Sequence, residues 1–192
     1  MTQPIHILAI SGSLRAVSSN TAALQALAAL APDGVTLALY DQLADLPYFN
    51  PDLDREGDTP PASVAYLRAQ IGRADGIVIC SPEYAHGVPG VLKNVLDWLV
   101  SSLEFPGKPV ALINVSPRST FAQASLAETL STMSAVLISD PALTIALPRD
   151  RRDVAGMLAD PAISQDLRAA ISAVVRAIAI SHSSAPHEKG IR

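Results

Sequence analysis

The chain has 192 residues, of which 49% are hydrophobic, and this length and composition suit one domain with a single substantial core. Its formal net charge is −4, and because phosphate backbones are held mainly by clustered Lys and Arg, no nucleic-acid partner is expected. The one cysteine, Cys80, cannot form an intramolecular disulfide, and no apolar run approaches the roughly 20 residues of a membrane-spanning helix, so we expect a cytoplasmic protein without a membrane partner.

Short apolar runs bounded by turn residues alternate with segments whose apolar residues recur at helical spacing. The predicted strands lie over 5–10, 35–40, 76–81 and 110–115, and a last strand region is shared by 136–138 and 143–147. A predicted helix follows each of them in chain order. These helices lie over 20–31, after a cap at Ser63, through 92–99, through 126–133 and, as the closing helix, through 167–178. Five strands alternating with five helices indicate an α/β fold with a parallel sheet. We expect one domain over 1–180 and a poorly ordered polar tail over 181–192.

The loop after the first strand offers hydroxyls, a guanidinium and an amide at the start of a helix. The candidate binding residues in it are Ser11, Ser13, Arg15, Ser18, Ser19 and Asn20. A terminal phosphate binds in such a setting, although Ser18 or Asn20 could instead only cap the helix. Gly12 is the loop's one glycine, so the dinucleotide and Walker A fingerprints are absent, and a monophosphate such as that of FMN is favoured over a pyrophosphate.

The loop after the third strand predicts a platform for a flavin ring, which needs hydrogen bonds at its edge and a wall against one face. The candidate residues are Pro82, Glu83, Tyr84, Ala85, His86 and Gly87. The backbone N–H groups of Glu83 and Tyr84 could serve the ring edge, and Tyr84 could contact a ring face. The alternatives are a surface aromatic for Tyr84 and a solvated side chain for His86.

The loop after the fourth strand adds Ser116 and Arg118, which could donate to the flavin or to a phosphate of a nicotinamide nucleotide. A solvent-facing arginine is an equal alternative for Arg118. A further cationic group, Arg149, Arg151 and Arg152, is more typical of a solvated turn than of a nucleotide clamp. The four histidines show no metal-ligand spacing, so no metal is expected.

Two separated motifs occur in order at the first two of these loops. They comprise Gly12-Ser13-Leu14-Arg15, Ser18, Asn20, Pro82-Glu83-Tyr84, Pro89-Gly90, Leu92-Lys93-Asn94 and Asp97-Trp98. Together they resemble the NAD(P)H-dependent FMN reductase family, which includes FMN, quinone, chromate and azo reductases. The resemblance covers about residues 5–180. It implies a flavodoxin-like, doubly wound five-stranded parallel sheet of order 2-1-3-4-5, with helices on both faces.

The resemblance also implies an activity and an assembly. FMN would carry the chemistry at its N5 atom, and no side chain would be catalytic. The flavin would take hydride from NADPH or NADH and then pass electrons to a small acceptor, in a ping-pong reaction. A homodimer or homotetramer is implied, in which Tyr48 and Phe49 of the long loop 41–61 could wall a neighbour's flavin or simply pack locally. Residues 93–94 and 97–98 are expected to organise the third helix or a subunit contact.

The sequence departs from the family pattern at Ala85, where many members carry Asn, and at Gly87, where many carry Ser. Two other functions stay open. An FMN-binding electron carrier or redox sensor shares the fold, but flavodoxins carry a Thr-rich phosphate loop and strongly acidic surfaces, which this chain lacks. A partner-binding module without flavin is the third possibility, and the intact phosphate loop argues against it.

Overall fold

Five apolar segments pair side by side into one parallel sheet in the computed structural model, which describes residues 4–184. The strands are β1 (Ile5–Ser11), β2 (Val35–Leu39), β3 (Gly76–Cys80), β4 (Pro109–Ile113) and β5 (Val136–Leu137). Their order across the sheet is β2-β1-β3-β4-β5, which confirms the predicted topology. Since all pairs are parallel, the carboxyl ends of β1, β3 and β4 lie at one edge of the sheet, and the register places Ser11 beside Cys80.

Helices cover both faces of this sheet. They are α1 (Ser19–Ala29), α2 (Ala62–Arg73), α3 (Gly90–Leu99), α4 (Phe121–Thr132), α5 (Val154–Ala159) and α6 (Pro161–Ser184). Successive strand residues point to opposite faces, so Ile7 and Ala9 pack with α1, α5 and α6, whereas Leu8 and Ile10 pack with α2, α3 and α4. None of the helices within residues 4–184 has the length and apolar content to cross a membrane.

The structure differs from the predicted elements at three places. Helix α2 begins at Ala62 with Pro61 as its N-cap residue, so the prediction that Ser63 caps it is wrong. The ring of Pro61 restricts its φ, which is −49°, and the N–H groups of Val64 and Ala65 donate to the Pro61 carbonyl. Helix α5 was not predicted. Helix α6 continues to Ser184, into the expected tail, and residues 185–192 of that tail lie outside the described residues.

The predicted last strand region is confirmed as two segments that pair in turn with the same neighbour. After β5 ends, the chain makes a short 3-10 turn over 141–143 and returns to the sheet. Thr144 then forms a parallel bridge with Asn114, and the Ile145 N–H donates to the Asn114 carbonyl at 2.8 Å. Both backbone polar groups of Asn114, its N–H and its carbonyl, are therefore hydrogen-bonded to this segment, at the point where the loop after β4 begins.

The long loop between β2 and α2 is held against α3 by two of the motif residues. Trp98 Nε1 and Asn94 Nδ2 both donate to the Pro47 carbonyl, at 2.8 and 2.9 Å. The ring of Phe49 meets Trp98 edge-on, with centroids 5.0 Å apart, so Phe49 packs locally, while Tyr48 is 91% exposed. These contacts assign the motif on α3 to organising the helix and its loop.

A nearly buried ion pair holds the second half of the same loop. Arg68 Nη2 donates to Asp54 at 2.8 Å and to the Trp98 carbonyl at 2.7 Å, and the two charged side chains are only 15% and 8% exposed. The hydrogen bond from Arg68 holds the pKa of Asp54 below its usual 3.8, so this carboxylate stays ionised near neutral pH. The loop is thus tied to both α2 and α3.

Candidate cofactor site

A cavity of about 250 Å³ lies where the loops after β1, β3 and β4 meet. The predicted residues that line it are Ser13, Arg15, Ser18, Ser19, Asn20, Pro82, Glu83, Tyr84, Ser116 and Arg118. The lining residues that were not predicted are Ser81, Val115, Ser119 and Arg152. The structure therefore brings the three predicted loops together at the carboxyl edge of the sheet, where ligands bind in open α/β folds.

The first two loops touch at Gly12. Its N–H donates to the Cys80 carbonyl at 2.9 Å, and a Cβ added to it would lie 2.3 Å from Ser81 Oγ and 2.8 Å from Ser81 Cβ. A third close neighbour is Leu92 of α3, at 3.2 Å. Only glycine fits here, and this contact sets the separation between the two sides of the cavity.

The strand-one loop presents donors at the N-terminus of α1. Ser18 is the N-cap residue, and its Oγ accepts from the Thr21 N–H at 3.4 Å, so the capping role considered for it is confirmed. The guanidinium of Arg15 makes no hydrogen bond or ion pair with any residue from 4 to 184. Exposed N–H groups, hydroxyls and one uncommitted guanidinium form a setting that favours an anion.

Two of the predicted phosphate ligands are instead engaged with the scaffold. The hydroxyl of Ser11 lies 2.7 Å from that of Thr21, joining β1 to α1, and Ser11 does not line the cavity. The Asn20 Oδ1 accepts from the Cys80 thiol at 3.3 Å. Burial raises the pKa of the Cys80 thiol, so it stays protonated and able to donate. Asn20 still lines the cavity, but its oxygen faces the core.

The loop after β3 contains a two-residue hairpin turn. The N–H of Tyr84 donates to the Gly87 carbonyl at 3.1 Å, and the return bond is 2.9 Å. Ala85 and His86, between them, have φ values of 49° and 61°. The Tyr84 N–H is therefore used inside the turn, whereas the Glu83 N–H makes no backbone hydrogen bond among the described residues and is the more available of the two predicted donors.

This turn is joined to the start of α4 by two contacts. A Glu83 carboxylate oxygen accepts from the Ala122 N–H at 2.8 Å, which supplies the cap that Thr120 does not provide. The ring of His86 stacks on Phe121, with centroids 4.2 Å apart and planes 20° apart. Glu83 thus acts as a positioning residue through its side chain, and His86 is not among the residues that line the cavity.

The loop after β4 is braced by Asn114. Its Oδ1 accepts from the Ser116 N–H at 2.9 Å, and the Ser119 N–H donates to the Ser116 carbonyl at 2.8 Å, closing a tight turn. Arg118, on this turn, and Arg152, before α5, both line the cavity and make no hydrogen bond or ion pair within residues 4–184. The cavity mouth is therefore cationic.

These features fit the phosphate and ring of FMN. A phosphate has hydroxyl donors, a helix N-terminus and Arg15 on one side of the cavity, and a planar ring has Pro82 and Tyr84 on the other. Within the described residues, no group of three or more His, Cys, Asp or Glu side chains could hold a metal ion.

Comparison with known proteins agrees with this geometry. The sequence profile of a family described as NADPH-dependent FMN reductase matches residues 5–148. This chain belongs to that family. It is an oxidoreductase with the flavodoxin-like fold.

Three relatives show how far the likeness extends. The chain is 37% identical over 165 residues to an NAD(P)H-dependent FMN reductase of Pseudomonas aeruginosa, covering 83% of this chain and 88% of that protein. It is 34% identical over 170 residues to a 2-hydroxy-1,4-benzoquinone reductase of Burkholderia sp, covering 85% and 88%. The solved structure of the flavoenzyme NAD(P)H:(acceptor) oxidoreductase from Paracoccus denitrificans superposes with a TM-score of 0.79 at 28% identity, covering 92% of this chain and 98% of that one.

Sequence reasoning missed Arg152 because it lies about 30 residues beyond the loop after β4, in a cationic turn that resembles a solvated one. The chain gave one usable signal, which is that the loop after the last strand also reaches the carboxyl edge of the sheet. Sequence reasoning also missed the anchoring role of Glu83, because its hydrogen-bond partner, Ala122, is 39 residues away.

Replacing Gly12 with alanine should destabilise the protein, because the added Cβ would overlap Ser81. We expect a loss of about 1–3 kcal/mol in the free energy of unfolding, the range found for overpacked sites. Gly90→Ala is the matched control, since nothing lies within 4 Å of a Cβ there, and it should be neutral or slightly stabilising. Urea unfolding of both variants measures this. Equal stability of Gly12→Ala and the wild type would remove the close approach as a constraint.

Replacing Ala85 should change stability according to how well each residue tolerates a positive φ. Both central turn residues need φ above zero, a geometry that favours Asn and Gly and penalises β-branched side chains. We expect Ala85→Asn to raise the free energy of unfolding by roughly 0.5–1 kcal/mol and Ala85→Val to lower it. Thermal and urea unfolding of the flavin-free protein would show this order; the reverse order would mean that the turn relaxes.

Proposed function

We propose that the protein is an NAD(P)H-dependent oxidoreductase that contains FMN and reduces a small acceptor, such as a quinone, a flavin, an azo compound or a metal oxyanion. The observation that carries the proposal is the meeting, in one cavity, of an anion-binding loop with an uncommitted Arg15 and a loop that presents Pro82 and Tyr84. The names of the relatives, FMN reductase and benzoquinone reductase, support the same reaction class. When bound, FMN would supply the hydride-accepting and electron-donating chemistry.

The residues of the chain would bind and orient. Arg15, with the hydroxyls of Ser13 and Ser19, would hold the phosphate against the positive end of α1. The Glu83 N–H would be the donor to the ring, because the Tyr84 N–H is already bonded to Gly87. No protein nucleophile is required, so the two substrates would use one exposed face in turn, giving ping-pong kinetics.

The loops after β1 and β3 would set which acceptors enter. Tyr84 lines the main cavity and also an adjoining cavity of about 330 Å³, whose other walls include Leu14 and Pro89. A largely apolar wall beside the ring would suit a planar quinone. The homodimer or homotetramer implied by the resemblance stays a prediction, and Tyr48 and Leu103, which are 91% and 93% exposed, are large side chains that an interface would cover.

The function can be tested by colour and its loss. The purified protein should be yellow, and heat should release FMN and not FAD. NADPH or NADH added anaerobically should bleach the flavin without a partner protein, and a quinone should restore the colour. A yellow protein that neither nucleotide bleaches would be an electron carrier instead, and a colourless protein that fails to take up added FMN would contradict the flavin assignment.

Removing the Arg15 side chain should weaken FMN binding without harming the fold. Hydrogen bonds to charged groups contribute about 1.5–3 kcal/mol, so Arg15→Ala should raise the FMN dissociation constant about ten- to hundredfold. Arg151→Ala is the control, because Arg151 pairs with Asp150 and Asp160 and lines neither the main cavity nor the one beside Tyr84. Flavin fluorescence titration of both variants gives the constants, and an unchanged value for Arg15→Ala would exclude it from the phosphate site.

A further inference from the structure

A second cavity adjoins the candidate cofactor site on the side of α1. Its volume is about 280 Å³, and its lining residues are Arg15, Val17, Ser19, Arg149, Asp150, Arg152 and Asp153. Arg15, Ser19 and Arg152 line this cavity and the main one, so the two share a wall. We call it the arginine pocket. A group bound in it would lie next to whatever occupies the phosphate loop.

Three guanidinium groups around the arginine pocket lack protein partners. The side chains of Arg15, Arg149 and Arg152 form no hydrogen bond or ion pair with any residue from 4 to 184. Like charges gathered without partners repel one another, and guanidinium groups bind phosphate through paired N–H donors. The pocket therefore favours an anion, and most of all a phosphate.

The two carboxylates of the arginine pocket, Asp150 and Asp153, do not cancel this preference, because they face three guanidinium groups and the charge of the lining stays positive. Asp153 is the N-cap of α5, and its Oδ1 accepts from the Gly156 N–H at 2.6 Å. Asp150 lies 3.3 Å from Arg151, which does not line the pocket and also lies 4.0 Å from Asp160. Arg151 thus offsets part of the charge of Asp150, while the side chains of Arg149 and Arg152 have no partner within residues 4–184.

FMN has one phosphate, and the loop after β1 already provides for it. The other reactant that carries phosphate in the proposed reaction is the reduced nicotinamide nucleotide, with a pyrophosphate in both forms and an additional 2′-phosphate in NADPH. Resting on the proposed function, we infer that Arg149 and Arg152 bind a phosphate of the nicotinamide nucleotide in the arginine pocket. The pocket is thus the co-substrate's anion site, distinct from that of the flavin.

Arg149 is the decisive residue, because it lines the arginine pocket and not the main cavity. In the FMN-loaded protein, Arg149→Ala should lower kcat/KM for the nucleotide about ten- to hundredfold, leave kcat nearly unchanged and leave the FMN dissociation constant unchanged. Arg149→Lys should recover part of the loss. Arg168→Ala, which removes an exposed arginine of α6 that lines none of these cavities, should behave as the wild type.

A binding measurement that needs no turnover separates this inference from the proposed function. Calorimetric titration of the FMN-loaded protein with 2′,5′-ADP and with ADP should give weaker binding in Arg149→Ala and unchanged binding in Arg168→Ala. A loss confined to NADPH and 2′,5′-ADP assigns the 2′-phosphate to the pocket, and an equal loss for NADH and ADP assigns the pyrophosphate. If Arg149→Ala binds both probes and uses both nucleotides like the wild type, the inference is wrong, while bleaching by NADPH would leave the proposed function intact.

Discussion

The close contact between Gly12 and Ser81 is the constraint on which the site depends. β1 and β3 are neighbours in a parallel sheet, so their carboxyl ends emerge side by side, but only a residue without Cβ lets the two following loops touch. The hydrogen bond from Gly12 to the Cys80 carbonyl extends the sheet pairing into that contact. The anion-binding loop and the ring-binding loop consequently share one cavity, because their spacing is set by backbone contact.

Polar groups around the cavity divide into those that hold the scaffold and those left free. Ser11 and the Asn20 oxygen bond to groups behind the loop, and Glu83 reaches across to α4. These bonds satisfy buried polar atoms that would otherwise lower stability, and they fix the loops before any ligand arrives. The guanidinium groups of Arg15 and Arg118 have no partner among residues 4–184 and are available to an anion, and ordering each of these long side chains on binding costs about 0.5–1.5 kcal/mol.

The sequence predicted the sheet because its signals are local. The run at 77–80 is buried at every position, and Leu92, Val95 and Leu96 form a helical stripe that the structure buries completely. The features that the sequence failed to predict depend either on contacts between residues far apart in the chain or on segments too short to show a pattern. Glu83 finds its partner far along the chain, Tyr84 turns its N–H inward only because the hairpin closes, and α5 is too short to show a period. Which loops reach the edge was predictable, whereas which of their residues line the cavity, and which of their atoms remain free, was predictable only in part.

The placement of charge completes the argument. The chain is acidic as a whole, at −4, yet four arginines whose side chains have no partner within residues 4–184, Arg15, Arg118, Arg149 and Arg152, gather at one edge of the sheet, on loops that follow β1, β4 and the last pairing segment. Such an arrangement weakens the ligand-free protein through repulsion, and bound phosphates relieve that repulsion, so ligand binding and stability are linked. The sheet topology brings these loops together, since Arg15 is separated from the other three arginines by more than a hundred residues in sequence. Arginines that would be scattered over the solvated surface in another fold are thereby concentrated beside the loop after β3.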